Sequence, residues 1–159
     1  METSTINKSE ARRLFPSAPA WMKAKLEKDF GKGVFSGSVI DRIRSVEDAY
    51  DEVSDERRAE YDREYHSGLC ADTKAFIDGK LIVDALRQDW KPNWKDGNEK
   101  KWLPIYRYSA GSGFDFSYSH YRYDNTITVV SSRLCLPNEA ISDHFGKNFK
   151  EINLILLNA

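Results

Sequence analysis

Apolar residues recur at helical spacing through the first ninety or so positions, and after Lys100 the period drops to two. Ser9 to Phe15 reads as a short helix that Pro16 stops. Pro19 sits where the first turn of a second helix accepts it. Met22, Leu26 and Phe30 follow at four-residue spacing, Trp21 widens the stripe, and Gly31 is a C-terminal stop. Gly33 to Gly37 reads as a loop holding Val34 and Phe35. Ser45-Val46-Glu47-Asp48 matches a capping box before a short helix ending near Val53. Ser54 caps another helix, from Asp55 to about His66, which Gly68 ends. Asp72 opens a longer one carrying Phe76, Ile77, Leu81, Ile82, Leu86 and Trp90. Asp78-Gly79 weakens its first turns, so the regular helix is expected from Lys80, and Pro92 ends it.

In the second pattern, Trp102, Tyr106 and Tyr108 share one face of a strand, and Pro104 places it at an edge or a bulge. Ala110 to Gly113 is a turn. Phe114, Phe116 and Tyr118 alternate with Asp115, Ser117 and Ser119 in a second strand, with both phenylalanines in the core. Asp124-Asn125 turns the chain again, and Ile127, Val129, Ser131 and Arg133 alternate with Thr128, Val130, Ser132 and Leu134 in a third. Links this short imply an antiparallel meander. A last helix starts near Glu139 and buries Ile141, Phe145, Phe149, Ile152 and Leu156; Gly146 within it marks a close helix–sheet contact. The expectation is an α+β fold in one domain, residues 1–159, with N-terminal helices over about 9–90 and a three-stranded meander plus a C-terminal helix over about 100–157.

Composition narrows the classes. A length of 159 residues supports a core without help from metal or disulfide. With 24 basic and 25 acidic residues the net charge is −1, which argues against a protein devoted to coating nucleic acid or an anionic membrane. A local basic patch remains compatible with it. The first nine residues are polar, no apolar run is long enough to span a bilayer, and the two cysteines, Cys70 and Cys135, lie far apart. A cytoplasmic protein with free thiols, no membrane contact and no cofactor is expected.

Five motifs occur in order: Trp90-Lys91-Pro92-Asn93-Trp94, Lys101-Trp102-Leu103-Pro104, Gly113-Phe114-Asp115-Phe116, Ser132-Arg133-Leu134-Cys135 and Phe145-Gly146-Lys147-Asn148-Phe149. Phe30-Gly31, Asp41-Arg42-Ile43 and Glu47-Asp48-Ala49 precede them. Together, from about Leu26 onward, they resemble a group of uncharacterised proteins from phages and prophages of the Bacteroidetes. The resemblance implies a phage context, and hence a host cytoplasm. It carries no activity and no catalytic residues.

The richest chemistry lies in the sheet half, where Lys91, Trp94, Lys95, Lys100, Lys101, Trp102, Tyr106, Arg107, Tyr108, Tyr121, Arg122, Tyr123 and Arg133 are concentrated. Exposed aromatics flanked by cations stack unpaired bases and track phosphates, and similar surfaces stack sugar rings. The plainer reading is that aromatics are good strand formers and one sheet face is core. Trp94, Lys95, Lys101, Tyr121 and Arg122 are the candidate ligand contacts. Glu99-Lys100-Lys101 resembles half of a metal-dependent nuclease site, to be completed by Asp84 or Asp89, but such triplets are common in solvated loops. His66, Cys70, Cys135 and His144 match no zinc spacing, and Cys135 with His120 or His144 makes only a nominal nucleophilic pair, so no metal or catalytic residue is expected. Gly111-Ser112-Gly113 does not precede a helix and is no phosphate cradle. Arg133, read as buried, calls for an ion pair with Asp115 or Glu139.

Two classes of function follow. The first is a non-enzymatic, phage-type binding module for single-stranded nucleic acid, using the aromatic and basic sheet surface. The alternative is a protein-interaction or virion-associated component that docks on a phage or host protein, through the charged helix from Asp55 to Glu64; the commoner fate of such a helix is a solvated face of internal ion pairs. A metal-dependent nuclease ranks below both.

Overall fold

The computed structural model of the protein describes residues 6, 8–35, 37–123 and 133–158. The helical half contains α1 (Lys8–Leu14), α2 (Ala20–Phe30), α3 (Val39–Arg42), α4 (Val46–Glu52), α5 (Asp55–Glu64) and α6 (Ala71–Arg87). A hairpin of β1 (Lys101–Ser109) and β2 (Gly113–Arg122) follows, then α7 (Glu139–Asn148) and α8 (Lys150–Asn158). The α+β class stands: among the described residues there are eight α-helices and a two-stranded antiparallel sheet.

Local signals account for most of the helix ends. The Ser45 and Ser54 hydroxyls accept the backbone N–H groups of Asp48 and Arg57, at 3.1 and 3.3 Å, as expected of N-caps. The reciprocal box, however, forms at Ser38 and Asp41, which open α3, a helix the pattern did not announce. Asp48 instead accepts from the Arg44 N–H at 3.1 Å.

Helix α6 departs from expectation at both ends. It runs unbroken from Ala71 through Gly79, because Gly79 is buried against Ile152 and Leu156 of α8 and packing there outweighs glycine's poor propensity. It ends at Arg87, before Pro92, since Gln88 turns to φ 53° and carries Trp90 off the helix. Leu81, Ile82, Val83, Ala85 and Leu86 form the middle of the core, joined by Val39, Ile43 and Ala49 from the front of the chain and by Leu136, Phe145 and Phe149 from the back. One cluster therefore serves both halves.

The single C-terminal helix of the sequence reading is two. The chain breaks at Phe149 (φ −115°, ψ 34°), where the buried Asn153 side chain donates to the Phe149 carbonyl at 3.0 Å and the Phe145 carbonyl at 3.4 Å. Both carbonyls also accept a backbone N–H, from Phe149 at 3.2 Å and from Asn153 at 3.1 Å, so the internal amide adds a second bond to each.

The sheet also needs correction. Residues 124–132, most of the expected third strand, lie outside the described residues. Leu136, beyond that strand, pairs with Trp102 of β1 in an isolated antiparallel bridge, N to O 2.8 and 3.0 Å. The returning chain therefore meets β1, whereas a meander would set it beside β2. Within the hairpin, Ile105 pairs with Tyr118 and Tyr106 with Phe116, which leaves Ser117 as a bulge. Phe116 and Tyr118 consequently face opposite sides.

Helix α7 packs against both strands. A Cβ at Gly146 would stand 2.3 Å from Phe116 Cδ2 and 2.9 Å from Pro104 Cβ. This is the close contact expected of that glycine. A Cβ at Gly79 would instead meet Ile152 and Leu156 at 3.7 and 3.8 Å, ordinary contact distances. The two helical glycines should thus respond oppositely to alanine in urea unfolding. Gly146→Ala is expected to cost about 1–3 kcal/mol through overpacking, and Gly79→Ala to gain up to about 1 kcal/mol through helix propensity.

Candidate nucleic-acid interface

The hairpin has one face seated on α7 and one turned away. The turn, Ala110 to Ser112, is tight because Gly111 and Gly113 take φ 122° and 75°, values that suit only glycine. On the inner face the Tyr106 hydroxyl donates to the Gly146 carbonyl at 2.5 Å, and the Ser119 hydroxyl donates to that of Ser142 at 2.8 Å in a buried pair. Phe116 packs beside them, half-buried. Phe114 is also half-buried, its ring 5.4 Å from that of Tyr108, and neither phenylalanine joins the central core cluster. Burial drives the Tyr106 hydroxyl up to about 12.

The outward face carries Leu103, Ile105 and Arg107 from β1 and Tyr118, His120 and Arg122 from β2, by the register of the pairs. Lys101 and Asp115 share this face by the same register; Lys101 is buried, and Leu103 and Ile105 are half-buried. Tyr118 is 43% exposed, with the Arg107 guanidinium 5.3 Å from its ring centre and the His120 ring 6.4 Å away. Arg107, His120 and Arg122 are exposed. Asp115, across from Arg107, is engaged by Lys150, which holds its carboxyl below the usual range. At the open end of the hairpin, Tyr121 sits 5.0 Å from Trp102 and 5.1 Å from Tyr123, and the Lys100 amine lies 4.4 Å from its ring centre.

Of the five contacts read from the sequence, two share a site, though not the intended one. Lys101 is 2% exposed; its amine bonds the Glu99 carboxylate at 3.1 Å and the Glu99 and Asp96 carbonyls at 3.2 and 3.5 Å. Trp94 is half-buried, its ring centre 5.2 Å from that amine. This pair fastens the loop before β1 and presents no cation to a ligand. Lys95 is exposed on the same loop. Tyr121 and Arg122 are neighbours on β2 and so point to opposite faces. Arg107, Tyr118 and His120 were not singled out as contacts. The sequence does alternate there, but the bulge that turns Tyr118 outward leaves no mark on the pattern.

Other candidate chemistry is absorbed by structure. Glu99 also accepts the Asn93 backbone N–H at 2.7 Å, which makes it a loop clasp. Among the described residues no group of three or more His, Cys, Asp or Glu is placed to hold a metal ion. Cys70 is exposed, while Cys135 is buried, with its thiol pushed up by desolvation. Arg133 is exposed, contrary to the buried position expected, and its expected partner Asp115 belongs to Lys150. The buried-arginine role falls to Arg87, which donates to the Cys135 and Arg133 carbonyls at 2.8 and 2.7 Å. The charged face of α5 is largely spent on α6, through Arg57–Asp84 at 2.6 Å, Lys80–Glu60 at 3.3 Å and Tyr61–Asp78 at 2.8 Å. No described helix is long and apolar enough to cross a membrane. Comparison of the chain with protein-family models, curated proteins and solved structures finds no match.

Two outcomes test this arrangement. Lys101→Ala should cost roughly 1–3 kcal/mol in denaturant unfolding, because it strands the partly buried Glu99, while Lys95→Ala should change stability by less than about 0.5 kcal/mol. The second concerns alkali. The unfolded Tyr106 ionises near 10 and the folded one near 12, so between these values the unfolded chain releases a proton that the folded chain keeps. Its contribution to stability is full below pH 10 and is lost as the pH rises through 12. Tyr61, also raised by burial, acts in the same direction. Tyr106→Phe should therefore reduce, without abolishing, the fall in stability between pH 9.5 and about 11.5 measured by urea unfolding.

Proposed function

We propose that the protein is a non-enzymatic binding module for single-stranded nucleic acid, held on the outward face of the β1–β2 hairpin. One observation carries this reading: Tyr118 and His120 lie in line and exposed on the outward face, with Arg107 at one end and Arg122 at the other. Alternate residues of a strand stand about 6.5–7 Å apart, room for two unpaired bases on two adjacent rings. Such stacking is worth about 1–3 kcal/mol per base. Two arginines, with a net charge of −1 behind them, suit a short segment and modest, salt-sensitive affinity. Phage nucleic acid in a host cytoplasm is the setting that the resemblance implies. A protein-docking or virion role is the second reading, favoured by Trp21, 70% exposed on α2, and by Ile155 and Leu157, 40% and 49% exposed on α8.

Fluorescence anisotropy with labelled oligo(dT) and oligo(U) at several salt concentrations separates the two. Binding should show a log–log salt slope of about −1.4, two phosphates at roughly −0.7 each, and Arg107→Ala or Arg122→Ala should each remove about half of it. Tyr118→Ala should weaken binding about tenfold with the slope unchanged, because a ring releases few counterions. Failure of both oligomers to bind at low salt would hand the protein to the docking reading.

A further inference from the structure

Arginines also gather far from the hairpin's outward face. Two cavities, of about 610 and 620 Å³, adjoin at the C-terminal end of α6 and share Glu52, Val53, Ser54, Gln88 and Asp89 in their walls. The shared wall is strained: Gln88 is the only non-glycine among the described residues at positive φ, 53° with ψ −117°. A conformation of this kind costs of order 1–3 kcal/mol and persists only where its surroundings impose it.

Guanidiniums and carboxylates are interleaved around these cavities. The Glu52 carboxylate is gripped by both Arg12 and Arg42, with Arg42 Nη2 2.7 Å from Oε1. The Asp84 carboxylate lies 2.6 Å from Arg57 Nε and 3.8 Å from Arg87 Nη1. Each carboxylate thus faces two guanidiniums. Glu60, 3.2 Å from Arg57, also meets Lys80 at 3.3 Å, which Glu64 approaches at 3.8 Å.

Arg57 is the least satisfied member. Its side chain is 12% exposed, and both Nη atoms are shut off from solvent without a hydrogen-bond acceptor. Glu60 attracts Nη1 but is not aligned to accept from it. Buried charged donors left unmatched are costly, and such a group calls for an acceptor. Arg87 is locked by its bonds to the Cys135 and Arg133 carbonyls and lies over the Trp90 ring at 5.7 Å, which leaves Nη1 on the cavity side with Asp84.

We propose that this double cavity binds a small oxyanion-bearing ligand, a phosphate or a carboxylate, between Arg57 and Arg87. The oxyanion supplies the acceptors that Arg57 lacks. It reaches the Nη atoms by drawing the guanidinium outward while Nε keeps its bond to Asp84. Trp90, at the side of Arg87, supplies a flat apolar surface for the rest of the ligand.

Titration with inorganic phosphate, pyrophosphate and succinate at constant ionic strength tests this, read from the arginine side-chain N–H resonances in proton–nitrogen NMR. Saturable shifts are expected at Arg57 and Arg87, weakened about fivefold or more by Arg57→Lys, since lysine lacks the planar fork. Arg107→Ala, on the hairpin, should leave them unchanged. Should Arg57→Lys fail to fold, Lys91→Ala on the exposed rim takes its place, with about a twofold loss expected. Response to the two phosphates alone assigns a phosphate ester; response to succinate alone assigns a carboxylic acid. The absence of saturable shifts at either arginine up to roughly 10 mM of all three probes overturns the proposal, as do shifts that survive the cavity variant undiminished.

Discussion

The hairpin is joined to the helical body chiefly by α7, and that joint depends on the missing side chain at Gly146. Phe116 and Pro104 occupy the space a Cβ would take, and Tyr106 reaches across to the Gly146 carbonyl. Close approach at this point decides which face of the sheet is inner. The Ser119–Ser142 hydroxyl pair then finds its distance, and Tyr118, His120, Arg107 and Arg122 are turned outward together. The arrangement proposed to meet a ligand is thus set by a contact on the opposite side of the strands.

Charge is used mostly for construction. Nearly a third of the residues are charged, 31%, yet many of them are paired within the molecule. Helix α5 is polar along most of its length and is fastened to α6 by ion pairs and a tyrosine–aspartate bond, while Tyr61 supplies its contact with the core. Lys101 is sunk beneath the loop before β1 and answered by Glu99. A buried pair of this kind adds specificity to the loop path more than net stability.

The legible parts of the fold are those written in local chemistry. Ser45 and Ser54 cap the helices expected of them, Pro19 and Gly31 bracket α2, and Gly146 announces its contact. What was not legible depends on partners distant in sequence. Gly79 reads as a weak point until Ile152 and Leu156 are known to lie on it. The break at Phe149 is hidden within an apolar stripe that continues at helical spacing, and the buried Asn153 amide that bonds across it is a polar residue between apolar neighbours. Lys101 looks like a surface cation because nothing in a strand pattern says that a loop will fold over it. For the same reason the site was legible as a region and not as a residue set: Tyr121 and Arg122 were found, but they stand on opposite faces.

The bulge at Ser117 has a consequence for parity. Phe114 and Phe116 occupy even positions, whereas Ser119 and Tyr121, on the same face, occupy odd ones, so β2 reads its own alternation in two different frames. Ser117 is the spacer that joins them. A chain shorter by that one residue would keep both faces as they are and merely straighten the ribbon. A residue lost next to it, Phe116 or Tyr118, would be replaced in the ladder by Ser117, which keeps the rest of β2 in step. In this hairpin, the count of residues along one strand carries as much information as their identity.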